Sequence, residues 1–156
     1  MLLYLLRHAD ASPYQADDFS RHLTEKGVVQ AKRVGEFLAD HGIKTNLILT
    51  SPLLRAKESA EIVANKLGGV DLTQASWLAC GMRPEVALSE LSAYTRFDSV
   101  MIVGHEPDFS SLIASLIGLE SGDRIDVSKA SLTAIEISRF TKGNGVLRFF
   151  LPVKIL

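Results

Sequence analysis

Leu2-Leu3-Tyr4-Leu5-Leu6-Arg7-His8 is an apolar run that ends on a cation and an imidazole. A run of that length fits a buried strand, although its periodicity alone also allows a helical segment. As a strand it delivers Arg7 and His8 to the rim of a sheet, where open α/β folds bind their ligands. An imidazole placed there can act as a nucleophile, and a guanidinium beside it can hold a phosphate.

Working outward, the same kind of ending recurs. Residues 9–23 read as a polar loop, and Thr24 is an N-cap for a helix that runs to about His41 and stops at Gly42. Val28, Ala31, Gly35 and Leu38 give that helix its apolar or small face. Leu47-Ile48-Leu49 is the second strand, ending at Thr50-Ser51. Pro52 suits the first turn of a second helix, which buries Ala56, Ala60, Val63, Ala64 and Leu67 and ends at Gly68-Gly69. A weaker strand lies near residues 74–78, and Pro84 opens a third helix to about Tyr94. Ser99 to Val103 is the next buried strand, and it ends at Gly104-His105. Glu106-Pro107 leads into an apolar helix to about Gly118. Residues 131–138 and 146–151 read as strands of a hairpin around Gly143-Asn144-Gly145.

Helices alternating with buried strands predict a three-layer α/β/α sandwich on a mainly parallel sheet, with the C-terminal hairpin as its antiparallel element. The 156 residues suit a single domain spanning 1–156. A net charge of -1 excludes an overall basic field, so neither nucleic acid nor an anionic membrane is an expected partner. The single Cys80 excludes an internal disulfide, and no run of 18 apolar residues is present. The N-terminal apolar run is shorter than the apolar region of a signal peptide. A soluble cytoplasmic protein is the expectation.

If the strands ending at His8, Ser51 and His105 are neighbours, two imidazoles and the guanidiniums of Arg7 and Arg55 converge on one rim. That constellation suits an anion. Two guanidinium forks can bind several phosphoryl oxygens while a histidine supplies the nucleophile. Neutral His8 would attack phosphorus in line and become phosphorylated, and water would then hydrolyse the intermediate. Arg7, Arg55 and His105 would stabilise the equatorial oxygens.

Leu6-Arg7-His8-Ala9 resembles the signature of the histidine phosphatase superfamily, the phosphoglycerate-mutase-like fold, with Ala9 where its most common version has glycine. Ser51-Pro52-Leu53-Leu54-Arg55-Ala56 is similar to its second phosphate-binding segment, and Val103-Gly104-His105 to its third. Within the superfamily the chain is most similar to the small SixA-type phosphohistidine phosphatases. It is short, and Arg21-His22-Leu23-Thr24 resembles their Arg-Pro-Leu-Thr segment, with His22 in place of proline. The resemblance implies that His8 is phosphorylated and that Arg7, Arg55 and His105 complete the phosphate pocket. It adds Arg21 as a further phosphate contact.

Larger relatives that cleave phosphate monoesters place an acidic general acid after the third strand. Here Ser76 to Arg83 carries no carboxylate. An alkoxide leaving group needs a proton, and general acid catalysis is worth about 100- to 10,000-fold. An imidazole leaving from phosphohistidine needs less help. The expected substrate is therefore phosphohistidine on a protein such as a phosphotransfer domain. The alternatives are a small-molecule phosphomonoesterase with Glu85 or Glu106 as the acid, and a phosphoprotein-binding module without turnover.

No cofactor and no metal are expected, because the four histidines show no ligand spacing. Glu106 reads more simply as a dipole-favoured residue at a helix start. Cys80 reads as a small buried or half-buried thiol. Arg55 has Glu58 and Glu61 as possible surface ion-pair partners, and His22 and His41 read as ordinary polar-face residues. Residues 9–23 and 79–84 are expected to frame the entrance.

Overall fold

The computed structural model describes residues 1–13 and 17–156. Four parallel strands form the heart of a six-stranded sheet: β1 (Leu2–Arg7), β2 (Leu47–Thr50), β3 (Leu72–Gln74) and β4 (Ser99–Gly104). The sheet is completed by β5 (Leu132–Ile137) and β6 (Gly145–Leu151), in the order β3-β2-β4-β1-β5-β6. β5 pairs antiparallel with both β1 and β6, so the C-terminal hairpin is the antiparallel element. The helices are α1 (Glu25–Asp40), α2 (Leu54–Lys66), α3 (Pro84–Leu91) and α4 (Asp108–Ile117).

Strand periodicity sorts the core into two layers. Leu3, Leu5, Leu49, Val100 and Ile102 pack with Leu88 and Leu91 of α3 and with Phe109 and Leu112 of α4. Tyr4, Leu6, Ile48, Met101 and Val103 face the other way, toward Ala31, Val34 and Leu38 of α1 and Ala56, Ala60 and Val63 of α2. The result is the α/β/α sandwich. Each of these fully buried large side chains contributes roughly 1.5–3 kcal/mol. β1, β2 and β4 are buried over nearly their whole length, as central parallel strands must be.

Two sequence-based boundaries shift. Helix α2 starts at Leu54, so Pro52 precedes it. Leu53, the N-cap residue, has no side-chain cap, and the Leu54 N–H instead donates to the Phe19 carbonyl at 2.9 Å. The weak third strand lies at Leu72–Gln74, earlier than 74–78, and Ser76–Leu78 is a 3₁₀ turn. Leu72 is its one partly covered residue, and Thr73 and Gln74 are exposed, so the edge strand carries little apolar pattern. The β5–β6 hairpin stands as expected, with a seven-residue connection that contains Gly143-Asn144. Thr24 does cap α1, its side chain accepting from the Gly27 N–H at 3.0 Å.

Two glycines bring the elements of the site together. A Cβ on Gly27 would lie 1.9 Å from the Asp10 carbonyl oxygen, so only glycine lets α1 approach the chain just beyond β1. A Cβ on Gly104 would lie 2.8 Å from the Phe109 ring, which packs beneath the end of β4.

Candidate active site

β2, β4 and β1 are adjacent, so their C-terminal ends place Ser51, His105 and His8 side by side. The ladders continue past the strands: the His8 N–H donates to the Gly104 carbonyl at 2.9 Å, and the Ser51 N–H donates to the Val103 carbonyl at 2.9 Å. The His8 and His105 ring centroids are 5.2 Å apart. Parallel neighbours thus turn three separate sequence segments into one cluster at the sheet rim.

His8 is 6% exposed, with Nδ1 2.7 Å from the Ala9 carbonyl oxygen. A carbonyl only accepts, so Nδ1 carries the proton and Nε2 keeps its lone pair. The Arg55 Nε–H points at that nitrogen from 3.3 Å. Burial pushes the His8 pKa down to about 3, and His105, Arg55 and Arg7 push it the same way. The imidazole is therefore neutral at neutral pH, with its lone pair on Nε2, where it accepts from Arg55. Ser59 of α2 holds the neighbouring backbone, accepting from the Ala9 N–H at 3.0 Å.

His105 is 2% exposed, and burial followed by the charge of Arg55 takes its pKa down to about 4. Its Nε2 lies 2.7 Å from the Ser51 hydroxyl, which also accepts from the Leu53 N–H at 3.3 Å. Among the described residues the buried His105 Nδ1 and Arg7 Nε have no hydrogen-bond partner. A buried polar atom without a partner is costly, and an oxyanion would satisfy both. Arg7 is fixed through its Nη1, which donates to the Val127 carbonyl at 2.7 Å. Burial lowers the Arg7 pKa, while the charges of Glu106 and Asp126 oppose that shift.

Arg55 is 4% exposed. Its Nη1 donates to the Asp18 carbonyl at 2.9 Å, and its Nη2 lies 3.1 Å from Asp18 Oδ2 and 3.6 Å from Cys80 Sγ. Its ion pair is thus with Asp18, not with Glu58 or Glu61. Glu58 instead holds the 22–23 segment, accepting from the Leu23 N–H and contacting His22 Nδ1, each at 2.7 Å. Arg21 Nη1 donates to Asp18 Oδ1 at 2.8 Å, and its Nε to the Ser12 carbonyl at 2.8 Å. Arg21 therefore reaches Arg55 through Asp18. Each of the two segments expected at the entrance reaches Arg55, one through Asp18 and the other through Cys80; within them, residues 14–16 lie outside the described residues.

Glu106 is half-buried, and its Oε1 accepts from the Ser110 N–H at 2.9 Å, capping α4. Burial raises its pKa, and the Arg7 charge counters part of that shift. Glu85 is exposed and lines a different cleft, with Ser111, Ser115 and Lys142. Cys80 is exposed as a residue, so of the expected alternatives, buried or half-buried, full burial fails, while its thiol is partly covered beside Arg55. Burial of its thiol raises its pKa even beside Arg55, so it is not a thiolate nucleophile. His22 and His41 are exposed polar residues.

Sequence reasoning missed Asp18 and Asp108. Asp108 is 7% exposed, and its Oδ2 accepts from the Gly81 and Met82 N–H groups at 2.9 and 3.1 Å. It thus shapes the 79–82 segment. Neither aspartate carries a local signature, because each is defined by a contact across the fold.

The sequence model of the histidine phosphatase superfamily (branch 1) matches residues 3–79, which include Arg7, His8, Ser51 and Arg55. An uncharacterised protein of Picosynechococcus sp. is 32% identical over 144 residues, covering 86% of this chain and 84% of its own length. The mitochondrial serine/threonine-protein phosphatase Pgam5 of Drosophila willistoni is 28% identical over 99% of this chain, which spans 65% of that relative's length. Among solved structures, the protein histidine phosphatase SixA complexed with tungstate superposes with a TM-score of 0.89 at 23% identity, over 99% of both chains. The SixA protein of Agrobacterium tumefaciens superposes with a TM-score of 0.83 at 26% identity, over 97% of both chains. With the family's segment carrying three strand-end residues of this cluster, and a relative matched over most of both lengths, the chain belongs to the histidine phosphatase superfamily.

Proposed function

We propose that this protein is a phosphatase that uses His8 as its nucleophile and removes phosphate from phosphohistidine on a protein. One observation carries this reading: a buried, neutral His8 has Nδ1 held by the Ala9 carbonyl and its unprotonated Nε2 turned to Arg55, whose Nε–H it accepts from at 3.3 Å until phosphate takes that donor. The likeness in fold to the SixA phosphatases supports the substrate class.

In the first step Nε2 of His8 bonds to phosphorus as the substrate's P–N bond breaks. The departing imidazole takes the electron pair and leaves as a neutral ring, its second nitrogen having been protonated beforehand. Arg7, Arg55 and the orphaned Nδ1 of His105 bind the equatorial oxygens. In the second step water attacks phosphorus, the His8–P bond breaks, and inorganic phosphate leaves. No acid is needed at the leaving group, which suits a segment 76–83 without a carboxylate.

The test is to mix the enzyme with an acid-labile, phosphohistidine-bearing protein and quench within milliseconds. Phosphate should appear on His8 and then be released, and His8→Ala should do neither. Tight phosphoprotein binding with no turnover would instead establish the binding-module reading.

A second reading, hydrolysis of small phosphate esters, draws on Glu106. Its charge interacts with Arg7 and burial raises its pKa, whereas Glu85 is exposed and lines a different cleft. If it protonates an alkoxide, Glu106→Gln should cut turnover of an alkyl phosphate about 100-fold or more and spare phosphohistidine.

A further inference from the structure

The residues that should meet phosphate are the ones solvent does not reach: His8, Arg55 and His105 are 6%, 4% and 2% exposed. Something must give way before a phosphoryl group reaches His8. The contacts of Arg55 show what. Both of its Nη groups are engaged by one residue, Asp18, through its backbone carbonyl at 2.9 Å and its carboxylate at 3.1 Å. The other carboxylate oxygen is held by Arg21 at 2.8 Å. An anion already sits on the guanidinium that a phosphate would need.

We propose that Asp18 is an internal competitor for the phosphate site: in the free enzyme its carboxylate holds Arg55 Nη2 and its carbonyl holds Nη1, and the incoming phosphoryl group displaces the carboxylate. This inference rests on the phosphate-pocket reading above. Of the five Arg55 N–H donors one points at His8, two at Asp18 and one at Cys80, so a two-point grip on phosphate needs donors that are already engaged, and binding exchanges one charge-assisted pair for another. The Arg21 hydrogen bond, together with the Arg55 charge, holds the Asp18 carboxyl below its usual range, so the competitor is ionised at neutral pH. The Asp18 side chain is about a third exposed (32%), so it is held less firmly than Arg55 at 5% and can move outward. The turn is also tied to α2, since the Phe19 carbonyl accepts from the Leu54 N–H at 2.9 Å. Displacement should therefore be felt at the Leu54 amide.

The consequence is discrimination against free phosphate. Inorganic phosphate must displace Asp18 with its own oxygens alone, whereas a protein-borne phosphoryl group adds contacts outside the pocket. The product of the reaction would then leave readily and inhibit weakly.

The experiment measures competitive inhibition by inorganic phosphate in wild type, Asp18→Asn, Asp18→Ala and Arg55→Ala, and follows the Leu54 amide by NMR during phosphate titration. Neutralising the competitor should lower the inhibition constant for phosphate about 3- to 10-fold. In the wild type the Leu54 amide should shift in step with occupancy. Unchanged phosphate inhibition in both Asp18 variants, with inhibition lost in Arg55→Ala, would overturn the competitor while leaving the pocket intact. Tighter inhibition with a silent Leu54 amide would also overturn it, because Asp18 would then act by repulsion without moving. Phosphate inhibition indifferent to Arg55 would instead locate the failure in the pocket reading itself.

Discussion

The floor of the candidate site and its mouth are built by different physics. The floor is three parallel strand ends, with His8, Ser51, Arg55 and His105 all below a tenth exposed and tied to the ladder or to one another. The mouth is loop: Asp18, Arg21 and Cys80 are held by side-chain contacts, and Asp18 and Cys80 remain open to water. A floor fixed by backbone hydrogen bonds and core packing can hold a nucleophile within the small tolerance that in-line attack allows. A mouth held by partly exposed pairs, each worth about 0–1 kcal/mol, can rearrange around a bulky substrate. The expected division of labour is chemistry at the floor and selection at the mouth.

The sharpest way to break that division is His8→Ala. Turnover of phosphohistidine should fall at least about a thousandfold, measured as phosphate release at saturating substrate. Equal loss on changing a mouth residue would erase the distinction. Next comes Arg55→Ala, expected to cost about 100- to 1,000-fold in kcat as a lost donor to the equatorial oxygens. Arg21→Ala should cost less than about tenfold, because its observed partners are Asp18 and Ser12 rather than His8 or His105. An Arg21 loss as large as that of Arg55 would place Arg21 on the floor, as its resemblance-based assignment implied.

What the sequence made legible follows the same line. His8 and His105 each stand just past the end of an apolar run, Arg55 lies in the first turn of the helix that follows another, and a run of consecutive buried residues is a one-dimensional signal. The pairing of β2 with β4 and of β4 with β1 then follows from parallel-sheet geometry. Asp18 has no such signal. Its importance comes from contact with Arg55, 37 residues away, and loop conformation decides that contact. Cys80 was legible only as a choice between buried and half-buried, because the turn around it decides how far the thiol is covered, and it lies at the rim with its thiol partly covered. Edge strand β3 was displaced because only Leu72 of its three residues is partly covered, leaving no periodicity to read.

The floor should also be the less forgiving region in stability. Gly104→Ala would force a Cβ to 2.8 Å from the fully buried Phe109 ring and should cost about 1–3 kcal/mol in chemical unfolding. Acid should reveal the two floor histidines as well. Their folded pKa values of about 3 and about 4 lie below the ordinary 6.5, so their contribution to stability is fully present above pH 6.5. Below that, the unfolded chain takes up protons that the folded chain refuses, and stability falls with pH until the folded values are reached. Each histidine contributes at most about 1.4 kcal/mol per pH unit in that window. Unfolding titrations between pH 6.5 and 4.5 should show this slope, and His105→Asn should remove one proton's share of it. A histidine NMR titration in which either floor imidazole charges near pH 6.5 would contradict the neutral assignment.

The smallest expected effect lies at the mouth. Cys80 sits 3.6 Å from Arg55 Nη2, a distance that could be mistaken for a catalytic contact. Its thiol is pushed up by burial rather than down by the cation, so at neutral pH it is a weak neutral partner to a guanidinium that Asp18 already satisfies. Cys80→Ser keeps a polar atom of similar size there and should change kcat by less than about twofold. The informative quantity is the ratio of effects on kcat and KM. If the mouth only selects, the serine variant alters KM alone. A kcat loss of tenfold or more would make the thiol part of the floor and move the boundary between the two regions outward.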